Sequence, residues 1–213
     1  PSDFPQFERS EWVNLNGTWT YSFDFGRTGR DKGWQNNASF DGKITVPFCP
    51  ESSLSGVKYT DFINTIWYQR KIDIPAAWNG KKILLNFGAV DYEAHVFIDG
   101  KLVRRHFGTG SSFSCDITKF VKAGQQHNLV VLVNDNLRDH KQPGGKQSFG
   151  FYSAGCNYTR VTGIWQTVWM EWVPENRIES LKITPLYDES SVRLEITLTQ
   201  PQNMEIRMLW NRD

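Results

Sequence analysis

Residues 93–103 read Glu-Ala-His-Val-Phe-Ile-Asp-Gly-Lys-Leu-Val, two strand-like runs on either side of Asp99-Gly100. An Asp-Gly pair in this setting predicts a two-residue hairpin, because a type I′ turn needs positive φ at both central positions. The same signature spreads outward in both directions. Residues 65–74 alternate apolar and polar types and are rich in aromatic and β-branched side chains. Residues 82–87, 93–98, 128–134 and 163–173 read the same way. Asn79-Gly80 and Ala123-Gly124 mark further turns. Long amphipathic helix patterns are missing, and residues 116–121 have room for one short helical turn. Many modest strands separated by Gly, Asn and Asp predict an all-β fold, a jelly-roll β-sandwich.

A chain of 213 residues suggests one large domain, or one domain and a fragment. A chain of this size hides roughly 70% of its unfolded surface, enough for a true core. Lys and Arg number 24 against 23 Asp and Glu, and no charge block occurs. That balance favours neither nucleic acid nor an anionic membrane as partner. Three cysteines, Cys49, Cys115 and Cys156, without a C-x-x-C pair signal neither a disulfide framework nor zinc. The sequence as it stands opens on Pro1-Ser2-Asp3 without a signal-peptide pattern, and no apolar run nears the ~20 residues of a membrane helix. Nine Trp point either to stacking surfaces for sugar rings or to an aromatic core.

Residues 139–158 break the strand pattern. They carry Gly144, Gly145, Gly150 and Gly155 with Pro143 and little periodicity, and Gly163 follows. A loop this long in a compact domain is usually functional or mobile. Val173-Pro174-Glu175-Asn176 reads as a domain boundary, giving a first domain at 1–174 and a second at 175–213. The runs 177–185, 192–199 and 204–210 look like strands. They fall short of the ~100 residues of an immunoglobulin-like sandwich, so the second domain is expected to be incomplete.

Five motifs in order resemble glycoside hydrolase family 2. They are Pro5-Gln6-Phe7-Glu8-Arg9 with Leu15-Asn16-Gly17-Thr18-Trp19; Val46-Pro47-Phe48-Cys49-Pro50-Glu51; Trp67-Tyr68-Gln69-Arg70; residues 87–94 followed by Asp99-Gly100, His106 and Asp116-Ile117-Thr118; and Arg160-Val161-Thr162-Gly163-Ile164-Trp165-Gln166. The resemblance covers nearly all of residues 5–173. It implies a galactose-binding-domain-like jelly roll at the N-terminus of an exo-acting, β-galactosidase-like glycosidase, followed by the start of an immunoglobulin-like domain. The family hydrolyses glycosides with retention, using two glutamates about 5 Å apart. Both belong to a TIM barrel, and this chain has neither an Asn-Glu pair nor the ~250 residues a barrel takes. The resemblance therefore implies a non-catalytic domain that scaffolds a barrel elsewhere in the polypeptide and touches the terminal sugar. No catalytic residue and no cofactor are expected here. The sugar substrate and the barrel are the implied partners, a homo-oligomer is a further one, and the periplasm or cell exterior is the implied location.

In the family, one sugar contact is an aspartate six residues before the Gly of the Arg-x-x-Gly-Ile motif; here that position is Asn157. Another, in β-galactosidases, is an asparagine that aligns with Ser53. Asn157 keeps an acceptor oxygen, loses the charge and adds donors; Ser53 reaches less far. Both departures count against a strict galactosidase. The candidate substrate-binding residues are thus Asn157, Tyr158, Ser53, Glu51 and Arg160. Against that stand plainer roles: a turn for Asn157, packing on the sheet for Tyr158, loop polarity for Ser53 and Glu51, and a buried ion pair or backbone carbonyls for Arg160. Asp91 and Glu93, two apart on one strand, share a face; acid/base work is conceivable, and surface or loop-tethering duty is the simpler reading. His106 is expected to hold a structural hydrogen bond. Asn134, Asp135, Asn136 and Asp139 offer oxygen ligands for a structural calcium but match no EF-hand spacing. A different class of function, a free-standing carbohydrate-binding module or lectin, would use Trp34, Trp78, Phe149 and Tyr152 as loop aromatics.

Overall fold

The computed structural model describes residues 9–37, 39–201 and 205. The chain divides into two compact units between residues 172 and 173. The strands of the first are β1 Trp12–Asn14, β2 Gly17–Phe23, β3 Gly42–Val46, β4 Thr65–Asp73, β5 Lys82–Phe87, β6 Val90–Asp91, β7 Glu93–Ile98, β8 Lys101–Phe107, β9 Phe113–Asp116, β10 Gln126–Asn134, β11 Gly163–Ile164 and β12 Val168–Val173. One short helix, α1, spans Trp34–Asn37. A six-stranded sheet runs β3-β2-β4-β10-β7-β8, antiparallel throughout; a four-stranded sheet runs β1-β12-β5-β9, and β6 pairs with β11. The result is the expected all-β sandwich.

The core lies between the sheets. Trp19, Ile44, Ile66, Tyr68, Leu129, Val131 and Val133 from the larger sheet join Leu85, Phe87, Cys115, Val168 and Met170 from the smaller in one buried cluster. Strand β10 is apolar without alternation because its other face is also covered. Val130 and Leu132 pack with Phe40, Trp67 and Phe97 under Trp34 of α1. Each such side chain contributes about 1.5–3 kcal/mol when fully buried. The cover is held by Asp24, whose carboxylate accepts from Thr28 N (2.9 Å), Gly29 N (2.8 Å) and Trp67 Nε1 (3.0 Å).

The Asp99-Gly100 turn has the expected hand, with φ of 46° and 79°. Two expectations are corrected. Residues 163–173 form two strands rather than one. Between them, Trp165 Nε1 donates to Thr109 O, Gly88 N donates to Thr167 O, and Val168 N donates to the Asn16 side chain. These distant partners pull the chain from the β6 pairing into the four-stranded sheet. Asp91 and Glu93 also sit on separate strands, β6 and β7, rather than two apart on one. Asp91 is buried beside β11, whereas Glu93 pairs with His95 (2.8 Å), with Arg105 and with Asn134 (3.2 Å).

In the second unit, β13 Ile178–Leu186 and β14 Ser191–Leu198 form an antiparallel hairpin. The third expected run, 204–210, lies outside the described residues apart from Glu205. No helix among the described residues is long and apolar enough to cross a membrane.

Candidate functional site

The long loop of residues 135–162 is ordered by side chains anchored beneath it. Arg160, 3% exposed, donates through Nη1 to the carbonyls of Ser148 (3.3 Å) and Gly150 (2.5 Å), and through Nη2 to Thr60 O. Its guanidinium also lies 4.1 Å from the centre of the Phe62 ring, and Arg138 covers the same ring at 3.8 Å. Arg160 is therefore a clamp on backbone carbonyls, the plainer of its two expected roles.

Gln147 is the second tie. Its amide donates to Asp91 Oδ2 (2.8 Å) and its carbonyl accepts from Val161 N (2.8 Å). Its backbone bridges to Tyr158, with Tyr158 N donating to Lys146 O and Ser148 N to Tyr158 O. Asp135 makes the third. Its two oxygens accept from Gln142 Nε2 (2.6 Å) and Thr162 Oγ1 (2.9 Å). Glu51 completes the set by accepting from Thr162 N (3.2 Å). Glu51 is 7% exposed, so it too supports the surface from below.

Above these ties the surface is exposed and aromatic. Phe149, Phe151, Tyr152 and Tyr158 are 56%, 59%, 86% and 62% exposed. Residues 154–157 close a tight turn through reciprocal backbone hydrogen bonds between Ala154 and Asn157, with Gly155 at a φ of 58°. The turn uses only the backbone of Asn157, which leaves its amide exposed. Tyr158 does not pack on the sheet. Ser53 is exposed at the start of a 3-10 turn, Ser53–Ser55, capped by Ser52. The loop carrying Ser53 and the loop carrying Asn157 are joined by Glu51 with Thr162, by Arg160 with Thr60, and by Phe62 edge-on to Phe151 at 5.4 Å.

Electrostatics set the buried carboxylates apart. Burial pushes the Glu51 carboxyl up to about 7 against the pull of Thr162. Burial, then the charge of Asp135, pushes Asp91 up to about 8. Asp135 is also raised by burial. Burial, followed by the charge of Glu51, lifts the Cys49 thiol to about 12. Glu51 Oε1, Asp91 Oδ1 and Tyr68 Oη have no hydrogen-bond partner among the described residues.

The remaining expectations resolve by position. His106 Nε2 meets Ser111 Oγ at 3.1 Å and its ring stacks on Phe113, a structural role. The four oxygen-bearing residues considered for calcium have protein partners: Asn134 bonds Thr65 and Glu93, Asp135 bonds Gln142 and Thr162, Asp139 accepts from Lys141 N, and Asn136 bonds the same Gln142 through its backbone. Of the loop aromatics, Trp78 is buried (2%) and Trp34 is half-buried against Trp67, so neither offers a stacking face; Phe149 and Tyr152 do. Sequence reasoning did not find Gln147 or Asp135 as ties, because nothing local marks a side chain that serves a partner 56 or 27 residues away.

The fold is a two-sheet jelly roll that presents an exposed aromatic and amide-bearing loop clamped from below. Residues 12–174 match the model of the glycosyl hydrolases family 2 sugar binding domain, and the chain belongs to that family. It is 26% identical over 207 residues to a β-glucuronidase of Felis catus, covering 86% of this chain and 31% of that protein. It is 27% identical over 145 residues to a β-galactosidase of Thermoanaerobacter pseudethanolicus, covering 67% and 18%. A solved β-glucuronidase of Ruminococcus gnavus shares the fold with a TM-score of 0.73 at 21% identity, over 94% of this chain and 35% of that one. The chain thus spans about a third of the length of these two β-glucuronidases.

Proposed function

We propose that this chain is the non-catalytic N-terminal domain of a retaining exo-β-glycosidase that acts on O-glycosides, of β-glucuronidase rather than strict β-galactosidase type. In this reading a barrel elsewhere in the same polypeptide supplies the two glutamates, and this domain braces it. The domain also lends Asn157, with Tyr158 and Ser53, to the terminal sugar. The observation that carries the reading is the exposed Asn157 amide, held on a loop whose buried ties leave that side chain free to meet a ligand. A neutral amide can both donate to and accept from a sugar hydroxyl. The preponderance of β-glucuronidases among the similar proteins favours a uronide over a galactoside.

The test uses the full-length protein with aryl β-glucuronide and β-galactoside substrates. Asn157→Ala should raise KM for the preferred substrate roughly tenfold, the worth of one hydrogen bond, with kcat within about twofold. An unchanged KM removes Asn157 from the subsite. A second reading, a free-standing carbohydrate-binding module, draws on the exposed Phe149 and Tyr152. Millimolar or tighter binding of monosaccharides to the 213-residue chain, measured by calorimetry and lost in Tyr152→Ala, would favour it.

A further inference from the structure

At one end of the larger sheet, β7, β8 and β10 meet the turn after β2 and residues 136–142 of the long loop. A groove of about 230 Å³ opens there. Asn157, Tyr158 and Ser53 do not line it. Part of its wall is committed to the fold. Glu93 bonds His95 (2.8 Å), Arg105 and Asn134 (3.2 Å), and the Gln142 side chain bonds Asp135 and Asn136 N.

The rest of the lining is uncommitted. The Arg27 guanidinium, the Lys141 ammonium, the Tyr92 hydroxyl and the Asn136 amide make no hydrogen bond or ion pair among the described residues. Asp139 spends one oxygen on Lys141 N (3.0 Å) and keeps the other. Phe107 supplies the apolar element. Its ring is 53% exposed, with Tyr92 edge-on at 6.2 Å and Arg105 at 5.2 Å.

Free surface cations are common and by themselves mark nothing. These two are presented by ordered turns. Arg27, at a φ of 54°, donates its N–H to Asp24 O in the turn that the Asp24 carboxylate fixes through Thr28 N and Gly29 N. Lys141 is placed by the Asp139 carboxylate, and Asn136 by the Gln142 side chain. A site ordered in advance loses less entropy when a ligand arrives. Glu93 is already paired with Arg105, and Asp139 offsets one of the two free cations, so the groove keeps a surplus positive charge.

That combination selects a ligand. A pyranose ring has a face of C–H groups and a rim of hydroxyls. The exposed Phe107 ring can take the face out of water, and Tyr92, Asn136 and Asp139 offer donors and acceptors to the rim. The surplus charge calls for an anionic substituent, and a guanidinium suits a carboxylate. The volume lies below the roughly 300–1,000 Å³ of drug-sized sites, which limits the occupant to one ring.

We propose that this groove binds one acidic sugar unit of the uronic acid class, with its carboxylate on Arg27 and Lys141 and its ring against Phe107. The proposal stands on the groove's own residues and does not depend on a sugar contact at Asn157.

The experiment titrates the 213-residue chain, labelled with nitrogen-15, and follows its amide resonances by NMR. The probes are sodium glucuronate, methyl β-glucoside as the ring without the charge, sodium acetate as the charge without the ring, and a tetrasaccharide of uronic acid units. Glucuronate should shift residues 92, 107, 136 and 141 with a Kd in the millimolar range, since exposed charged contacts are weak. The glucoside and acetate should each bind at least about tenfold more weakly. Arg27→Gln and Phe107→Ala should each weaken glucuronate about tenfold, and Lys141→Gln gives a second reading of the charge if the Arg27 turn is disturbed. A tetrasaccharide that binds as well as glucuronate assigns the site to units within an acidic chain, and one that is refused assigns it to the free acid; either upholds the acidic-sugar class. Acetate as tight as glucuronate, or a glucoside as tight, overturns the proposal. So does binding that survives Arg27→Gln, Lys141→Gln and Phe107→Ala but is lost in Asn157→Ala or Tyr152→Ala, which would move the ligand to the long loop.

Discussion

Gly163 sits where the backbone passes closest to a core aromatic, and replacing it by alanine should unfold the sandwich more readily than any change in its exposed neighbours. Two costs combine. The φ of +80° places an L side chain in the left-handed region, for about 1 kcal/mol. A Cβ there would also meet Tyr68 Oη at 2.0 Å and its ring carbons at 2.9 and 3.0 Å. Tyr68 is fully buried in the core cluster between the sheets, so overpacking adds roughly 1–3 kcal/mol. The total of roughly 2–4 kcal/mol should lower Tm by about 4–16 °C for a unit of this size. Urea denaturation followed by tryptophan fluorescence measures it. Tyr68→Phe supplies the control. The hydroxyl is buried without a partner, so its removal alone should cost little. In the double variant the closest contact is gone, and about half the loss should return, leaving the backbone term. A Gly163→Ala variant within about 0.5 kcal/mol of wild type, or a double variant whose losses simply add, would refute the packing argument.

Further expectations follow from the buried polar groups. Glu51 and Asp91 have folded values raised above their unfolded ones, so the folded chain binds the extra protons between about pH 4 and pH 8. Stability should therefore be fullest below that window and decline as pH rises through it, by up to about 1.4 kcal/mol per pH unit for each group. Melts of the 213-residue chain should be lower at pH 8.5 than at pH 5, and Asp91→Asn should narrow the gap; a gap that opens the other way contradicts the assignment. Asp24→Ala strands Thr28 N, Gly29 N and Trp67 Nε1 at once and should cost roughly 2–4 kcal/mol in denaturant, with Asp24→Asn between it and wild type. Arg160→Lys replaces a planar fork by a single ammonium that cannot serve three carbonyls. Chymotrypsin should then cut after Phe149, Phe151 or Tyr152 several times faster, and an unchanged cutting rate would show that the clamp is dispensable.

Much of the strand plan was legible because it is written in short-range chemistry. Period-2 alternation marks β4, and an Asp-Gly pair between apolar runs sets the β7–β8 hairpin. Residues 163–173 misled because their composition is strand-like throughout. Asn16, Gly88 and Thr109 break them, and no local signal carries those partners. Trp34 and Trp78 misled for a related reason. A tryptophan in a loop-like segment reads as exposed until the element that covers it is known, and here α1 lies over the outer face of the large sheet.

By itself, then, the sequence determined the all-β class, the order of most strands, the long glycine-rich loop and the family motifs that single out Asn157 and Ser53. These depend on periodicity, turn residues and local order along the chain. The tertiary structure alone decided which candidates are exposed and which are buried. It showed Arg160 and Glu51 as buried supports of the loop, and it brought Glu51, Asp91 and Asp135 together from segments 40 or more residues apart. A carboxylate's charge depends on the water and the neighbours around it. Those are properties of three-dimensional packing, which no residue carries in its own identity.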